Sequence, residues 1–150
     1  MNRVAEAVRL FQDGCTCSQA VLVVYAKSLG LSKQTSLRIA SGFGAGMGMG
    51  ETCGAVTGAF MVIGLRYAAE NCNTQKGRVD ACSHVLEFAE RFRKMNGSIL
   101  CRGLLGCNIS TPDGMKKANE LNLFKTTCVK LTKDAVTILE DMEAGEKEAS

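Results

Sequence analysis

No tryptophan occurs in this chain of 150 residues, and histidine and proline occur once each, at His84 and Pro112. A lone imidazole excludes metal centres built on several histidines and leaves a Cys–His catalytic pair only one residue to draw on. On the helical pattern described below, His84 falls with Glu87 and Arg91 on an outward face, which argues against such a pair. Aromatic residues make up 5% of the sequence and the net charge is only +3. With basic residues spread along the chain and few aromatics among them, no nucleic-acid partner is expected. Long apolar runs are also missing. The longest, near Ala20–Ala26 and Gly58–Leu65, fall far short of the ~20 residues that span a bilayer, so no membrane insertion is expected. From Met1 to Asp13 charges interrupt the apolar positions, unlike the core of a secretory signal, and a cytoplasmic location is the expectation. Cys-x-x-Cys is absent as well, which disfavours thioredoxin-like motifs and zinc knuckles.

What the chain has in quantity is cysteine, with eight residues of that type. A chain of this length buries ~70% of its unfolded surface, so one domain spanning residues 1–150 is expected to fold without disulfides. In a reducing cytosol, cysteines this numerous point to metal or redox chemistry rather than to a static disulfide frame.

Apolar periodicity predicts an all-α bundle of about seven or eight helices with short loops, and almost no strand signal. Arg3–Gln12 reads as a first amphipathic helix. Thr16-x-x-Gln19 is a capping box that opens a second, running to about Leu29 before Gly30. A third runs from Ser32 to about Ser41, and Thr52 opens a fourth through Val56, Phe60, Ile63 and Tyr67. A long fifth, from about Gln75 to Met95, groups Val79, Cys82, Leu86, Ala89 and Phe92 on one face, which makes Cys82 a core residue. Ser98–Leu105 is a short sixth, Pro112 suits the first turn of a seventh, and Thr127 to about Met142 forms the eighth, with a frayed end after Gly145.

Three Thr-Cys steps, Thr16-Cys17, Thr52-Cys53 and Thr127-Cys128, stand at predicted helix starts, and Ser98-Ile-Leu-Cys101 repeats the theme. A cysteine in a first helical turn feels unpaired N–H groups and the positive dipole end, which favour its thiolate. Between helices three and four lies a connection of alternating glycines, residues 42–50. Its spacing is wrong for a dinucleotide fingerprint, because Met47, Met49 and Glu51 occupy the positions where the last glycine would fall. Gly50, Gly54 and Gly58 continue at four-residue steps. Such a seam means either tight helix packing or room for a cofactor beside Cys53.

The run Cys53-Gly-Ala-Val-Thr-Gly58, with Cys17-Ser-Gln-Ala-Val upstream and Cys101-Arg-Gly-Leu-Leu-Gly and Cys128 downstream, resembles the small redox-active proteins named for the ordered pattern C…GCAxxG…C…C. The resemblance covers about Gly14 to Met142 and implies a redox or metal-linked role. Its signature cysteines map onto Cys17, Cys53, Cys101 and Cys128, the same four that the helix starts select. Cys15, Cys72, Cys82 and Cys107 lie outside that set.

An all-cysteine set on four helix starts favours an iron–sulfur cluster for electron transfer, with Cys17, Cys53, Cys101 and Cys128 as ligands and Gly50, Gly54 and Gly58 making room. Zinc or Cu(I) in a binding or sensing module is an alternative, and Met47 and Met49 are candidate soft copper ligands. Metal-free thiol–disulfide chemistry is the other. It would use Cys53 as nucleophile, with Cys101, next to Arg102, as second choice. Either reading implies a redox partner protein or a small thiol or oxidant as partner, and the glycine seam leaves room for a homodimer.

Overall fold

The computed structural model describes residues 2–68, 70 and 72–150. Its described residues form eight α-helices and no β-strand: α1 Arg3–Gln12, α2 Cys17–Ala26, α3 Lys33–Ala40, α4 Gly54–Ile63, α5 Gln75–Asn96, α6 Cys101–Leu105, α7 Pro112–Glu120 and α8 Thr127–Ala149. The fold is all-α, as the periodicity predicts.

Local chemistry explains most boundaries. Thr16 accepts from the Gln19 N–H while the Gln19 side chain accepts from the Thr16 N–H, so the capping box exists as drawn. Ser32 caps α3 through the Thr35 N–H, and Thr111 caps α7 with Pro112 behind it. Gly30 and Gly97 stop their helices in the left-handed conformation, at φ 77° and 84°.

α2 is the axis of the bundle, packed on α1, α3, α4 and α8. Its contact with α4 is close because α4 presents glycine. A Cβ on Gly58 would lie 2.8 Å from the Ser18 carbonyl oxygen and 3.1 Å from the Ser18 Cα. Around this contact Val21, Leu22, Tyr25, Val56, Val62, Phe88, Phe92, Val136 and Leu139 form the core. Gly54 and Gly58 of the glycine seam are thus packed from within the chain by α2.

Three expectations fail. The face of α5 through Val79, Cys82 and Leu86 is not the buried one: Val79 and Leu86 are 59% and 63% exposed, and Cys82 is exposed too. The helix instead buries Gly77, Phe88, Ala89 and Phe92, with Phe88 meeting the Phe60 ring edge-on at 6.0 Å. Two phenyl rings remove more area from water than Val, Cys and Leu positions can, and they set the rotation of the helix. His84 is half-buried rather than solvated. It stacks on the Tyr67 ring at 3.6 Å, and its Nδ1–H donates to the Asp80 carbonyl at 2.7 Å.

The third failure is the C-terminus. α8 does not fray after Gly145 but continues to Ala149. Its carboxylates are partnered from three other elements: Glu140 accepts from Tyr25 and Arg3, Glu143 pairs with Arg3 and Arg66, and Glu146 accepts from Tyr67. Local composition there reads as solvated; tertiary ion pairs override it.

Two stability outcomes follow from these contacts. Gly58→Ala forces α2 and α4 apart and should cost ~1–3 kcal/mol in urea unfolding, the range of overpacked cores. Cys82→Ser, on an exposed helix face, should shift stability by less than ~0.5 kcal/mol.

Candidate redox site

Four helix starts converge on one partly open cavity of about 170 Å³. Cys17, Cys53, Cys101 and Cys128 all line it, together with Phe11, Thr16, Ala45, Gly46, Gly54, Leu105, Ile109, Phe124 and Leu131. No carboxylate and no imidazole joins them, and His84 is not in the wall.

Each thiol is held in its own way. Cys17 is the first residue of α2, fixed by the Thr16 capping box. The loop after α3 folds over it: a Cβ on Gly44 would strike the Thr16 side chain at 2.8 Å, and a Cβ on Gly54 would fall 2.4 Å from the Cys17 sulfur. Gly54 is therefore required so that the sulfur can rest against the α4 backbone.

Cys53 and Cys101 are set by an element that periodicity does not reveal. Thr52 and Leu100 form an isolated antiparallel bridge, in which the Cys53 N–H donates to the Ile99 carbonyl at 2.8 Å and the Cys101 N–H to the Glu51 carbonyl at 2.6 Å. Side chains alternate across such a bridge, so Cys53 and Cys101, each one step beyond the bridged pair, share the inward face while Leu100 faces solvent. This corrects two assigned caps. Thr52 does not cap α4; Cys53 itself occupies that position, without a side-chain cap bond. Ser98 does not cap α6 either, since its hydroxyl accepts from the Leu100 N–H and Leu100 stands at the cap. Cys128 is the second residue of α8, behind Thr126, which makes no side-chain cap bond; Thr127 is already helical.

Of the three glycines expected to make room, Gly54 lines the cavity. Gly50, at φ 68°, packs against the Asn108 side chain, and Gly58 packs on α2. Met49 is exposed, and neither it nor Met47 enters the wall. Two non-glycine residues of the loop, Ala45 and Met47, take positive φ at 55° and 59°, a strained backbone over the Cys17 sulfur.

One thiol is anionic by environment and three are not. The Cys53 thiol donates to the Cys17 sulfur, and the N–H groups of Ala45 and Ser18 add to it, holding Cys17 down to about 7 against the opposing effect of burial. Cys53 is correspondingly raised well above the ordinary 9.0, first by giving that hydrogen bond and then by burial. Burial, followed by the Cys17 charge, pushes Cys101 up to about 11 and Cys128 to about 12. The electrostatics thus single out Cys17 rather than Cys53 as the thiolate. Arg102, expected to favour the Cys101 thiolate, is paired with Glu51 instead.

The remaining cysteines separate by distance. Cys15 lines a neighbouring groove with Gln12, Lys125 and Val129, which meets the thiol cavity at Phe11 and Phe124. Cys107 packs against the small cluster of Cys101, Leu105, Ile109 and Ala118, beside Cys128. Cys72 is exposed. Among the described residues, no three His, Cys, Asp or Glu side chains are grouped tightly enough to hold a single metal ion.

A helical fold that gathers four cysteines, and no other ionisable side chain, around one apolar cavity defines a thiol-centred redox protein. The chain belongs to the family described as putative redox-active protein (C_GCAxxG_C_C), which it matches over residues 15–142. No curated protein and no solved structure matches it. Among the described residues, no helix is long and apolar enough to cross a membrane.

The thiol shifts fix the sign of a pH dependence. Between about 7 and 9.0 the folded chain has lost the Cys17 proton that the unfolded chain keeps, so stability rises with pH and is lost as pH falls through about 7. Above 9.0 the unfolded chain loses protons that Cys53, Cys101 and Cys128 retain, so stability falls as pH rises further. Urea unfolding of the reduced, metal-free protein should therefore show a thiol-dependent maximum near pH 9. In ultraviolet titration a thiolate with midpoint near 7 should disappear in Cys17→Ser and move upward in Cys53→Ser.

Proposed function

We propose that Cys17, Cys53, Cys101 and Cys128 ligate an iron–sulfur cluster and that the protein carries electrons to and from a redox partner. The observation that carries this reading is the convergence of four thiols from four helix starts, and of no harder donor, on one apolar cavity. A soft all-sulfur set suits iron–sulfur, zinc or Cu(I). Four cysteine ligands with no imidazole or carboxylate among them would match the usual all-thiolate holding of a cluster. The cavity itself can hold a small group: apolar cavities of ~150 Å³ accept molecules the size of benzene.

Bound there, a cluster would supply a one-electron couple whose potential depends on hydrogen bonds to sulfur and on exposure. The chain provides both controls. The Ala45 and Ser18 N–H groups already point at the Cys17 sulfur. Phe11, Leu105, Ile109, Phe124 and Leu131 surround the thiols with apolar side chains. Because three of the four thiols hold their protons at neutral pH, loading the site displaces roughly three protons and is favoured by rising pH.

A second reading rests on the Cys17–Cys53 contact. In a metal-free protein the Cys17 thiolate attacks one sulfur of a disulfide and expels the other as thiolate. Cys53 then attacks the Cys17 sulfur of the mixed disulfide, closing a Cys17–Cys53 bond and releasing the second thiol. Here Cys53, first choice as nucleophile from sequence, becomes the resolving thiol, and Cys101 has no part.

Protein purified without oxygen separates the readings. Visible absorption that bleaches on reduction, with equal iron and acid-labile sulfide, is expected. Serine at Cys17, Cys53, Cys101 or Cys128 should lower the bound iron several-fold, while Cys82→Ser leaves it unchanged. A colourless, metal-free protein with titratable thiols would shift the case to dithiol exchange, and stoichiometric zinc or copper to a binding module.

A further inference from the structure

We propose that Cys107 is a fifth working thiol of this centre: small anionic disulfides oxidise it into a Cys101–Cys107 disulfide that withdraws Cys101 from the ligand set. The role of Cys101 as a ligand rests on the cluster reading; the pairing of the two thiols does not.

The pairing comes from how α6 ends. Gly106 stops this five-residue helix in the left-handed conformation, at φ 69°, with its N–H donating to the Arg102 carbonyl at 2.9 Å. In this kind of stop the residue after the glycine commonly turns back to make apolar contact with the last turns of the helix. In so short a helix those turns include its first residue, which is Cys101. Cys107 accordingly packs against the cluster formed by Cys101, Leu105, Ile109 and Ala118. Yet Cys107 is absent from the cavity wall and is less buried than Cys101. It is the member of the pair that a solvent-borne disulfide meets first. The Lys117 ammonium, 3.5 Å from the Gly106 carbonyl, stands beside this turn and suits a disulfide that carries carboxylates.

The exchange balances. The Cys107 thiolate attacks one sulfur of the small disulfide, forming a mixed disulfide and expelling one thiolate, which takes up a proton. The Cys101 sulfur then attacks the Cys107 sulfur, and the second small thiolate leaves and is protonated in turn. Two protein thiols are oxidised by two electrons, and one small disulfide is reduced to two thiols. With its sulfur bonded to Cys107, Cys101 is no longer a donor to the cavity.

Trypsin cuts after Arg102, so Cys101 and Cys107 fall on separate peptides, residues 95–102 and 103–116. Whole reduced, metal-free protein is treated with oxidised glutathione, blocked with N-ethylmaleimide, digested and read by mass spectrometry. The expected result is the two peptides joined, together with a several-fold loss of iron and sulfide uptake that dithiothreitol restores. Cys107→Ser should take up iron and sulfide like the unsubstituted chain and lose less of that capacity to oxidised glutathione, any loss that remains tracing to a joined Cys17–Cys53 peptide pair. Recovery of Cys107 only as a glutathione or N-ethylmaleimide adduct, with no joined peptide, would overturn the pairing. So would an equal loss of uptake in Cys107→Ser. If no variant ever takes up iron, the cluster reading fails, and the joined peptides alone then decide the thiol pairing.

Discussion

The approach of the α4 backbone to α2 is the constraint on which the rest depends. Where Gly54 would carry a Cβ, the chain has the Cys17 sulfur, and where Gly58 would carry one, it has the Ser18 carbonyl. Any side chain at either position pushes the two helices apart. Separation would open the core between Val21 and Val56 and at the same stroke part the Cys17 sulfur from the Cys53 thiol that holds its charge. Fold and site therefore share one contact. Two glycines in a helix cost ~1 kcal/mol each in helical preference, and the packing gained across α2 offsets it.

The same economy of parts governs the charge in the cavity. Four thiolates in an apolar cavity would repel one another without relief from water. The chain avoids this by placing one anion, Cys17, among donors and leaving the other three thiols neutral through burial and through that anion's own field. At most one of the four thiols is thus ionised near neutral pH, and its charge is met by the Cys53 thiol and the Ala45 and Ser18 N–H groups. No arginine or lysine side chain lines the cavity, and Arg102, the nearest cation by sequence, is bound to Glu51 at the surface.

Much of this was legible in the residues, and the rest was hidden for definable reasons. The eight helices follow from apolar periodicity and from caps such as Thr16, Ser32 and Pro112, whose chemistry is local. The convergence of Cys17, Cys53, Cys101 and Cys128 could be suspected from their positions at helix starts, although three of the assigned cap bonds do not exist. Thr52 and Ser98 were misplaced because a bridge between Thr52 and Leu100, distant in sequence, has no periodic signature, and Thr127 because α8 starts one residue earlier, with Thr126 at the cap. The rotation of α5 was misread because Val79, Cys82 and Leu86 make a helical stripe as regular as the one through Phe88 and Phe92. Only the packing of Phe88 on Phe60 decides between them. The continuation of α8 was hidden because Glu140, Glu143 and Glu146 look like solvated residues until Arg3, Tyr25, Arg66 and Tyr67 arrive from elsewhere.

The four sulfurs are not held with equal firmness. Cys17 is fixed by a reciprocal cap, and Cys53 and Cys101 are tied to one another by the bridge. Cys128 stands opposite, at the start of a helix whose first turn has no side-chain cap and which is reached through a run of turns containing Asn122 at φ 59°. Phe124, in that run, closes the wall toward the outer groove. Three sulfurs thus belong to one α2–α4–α6 framework and the fourth to α8, so a change that disturbs the bridge displaces Cys53 and Cys101 together and leaves Cys128 on its own helix.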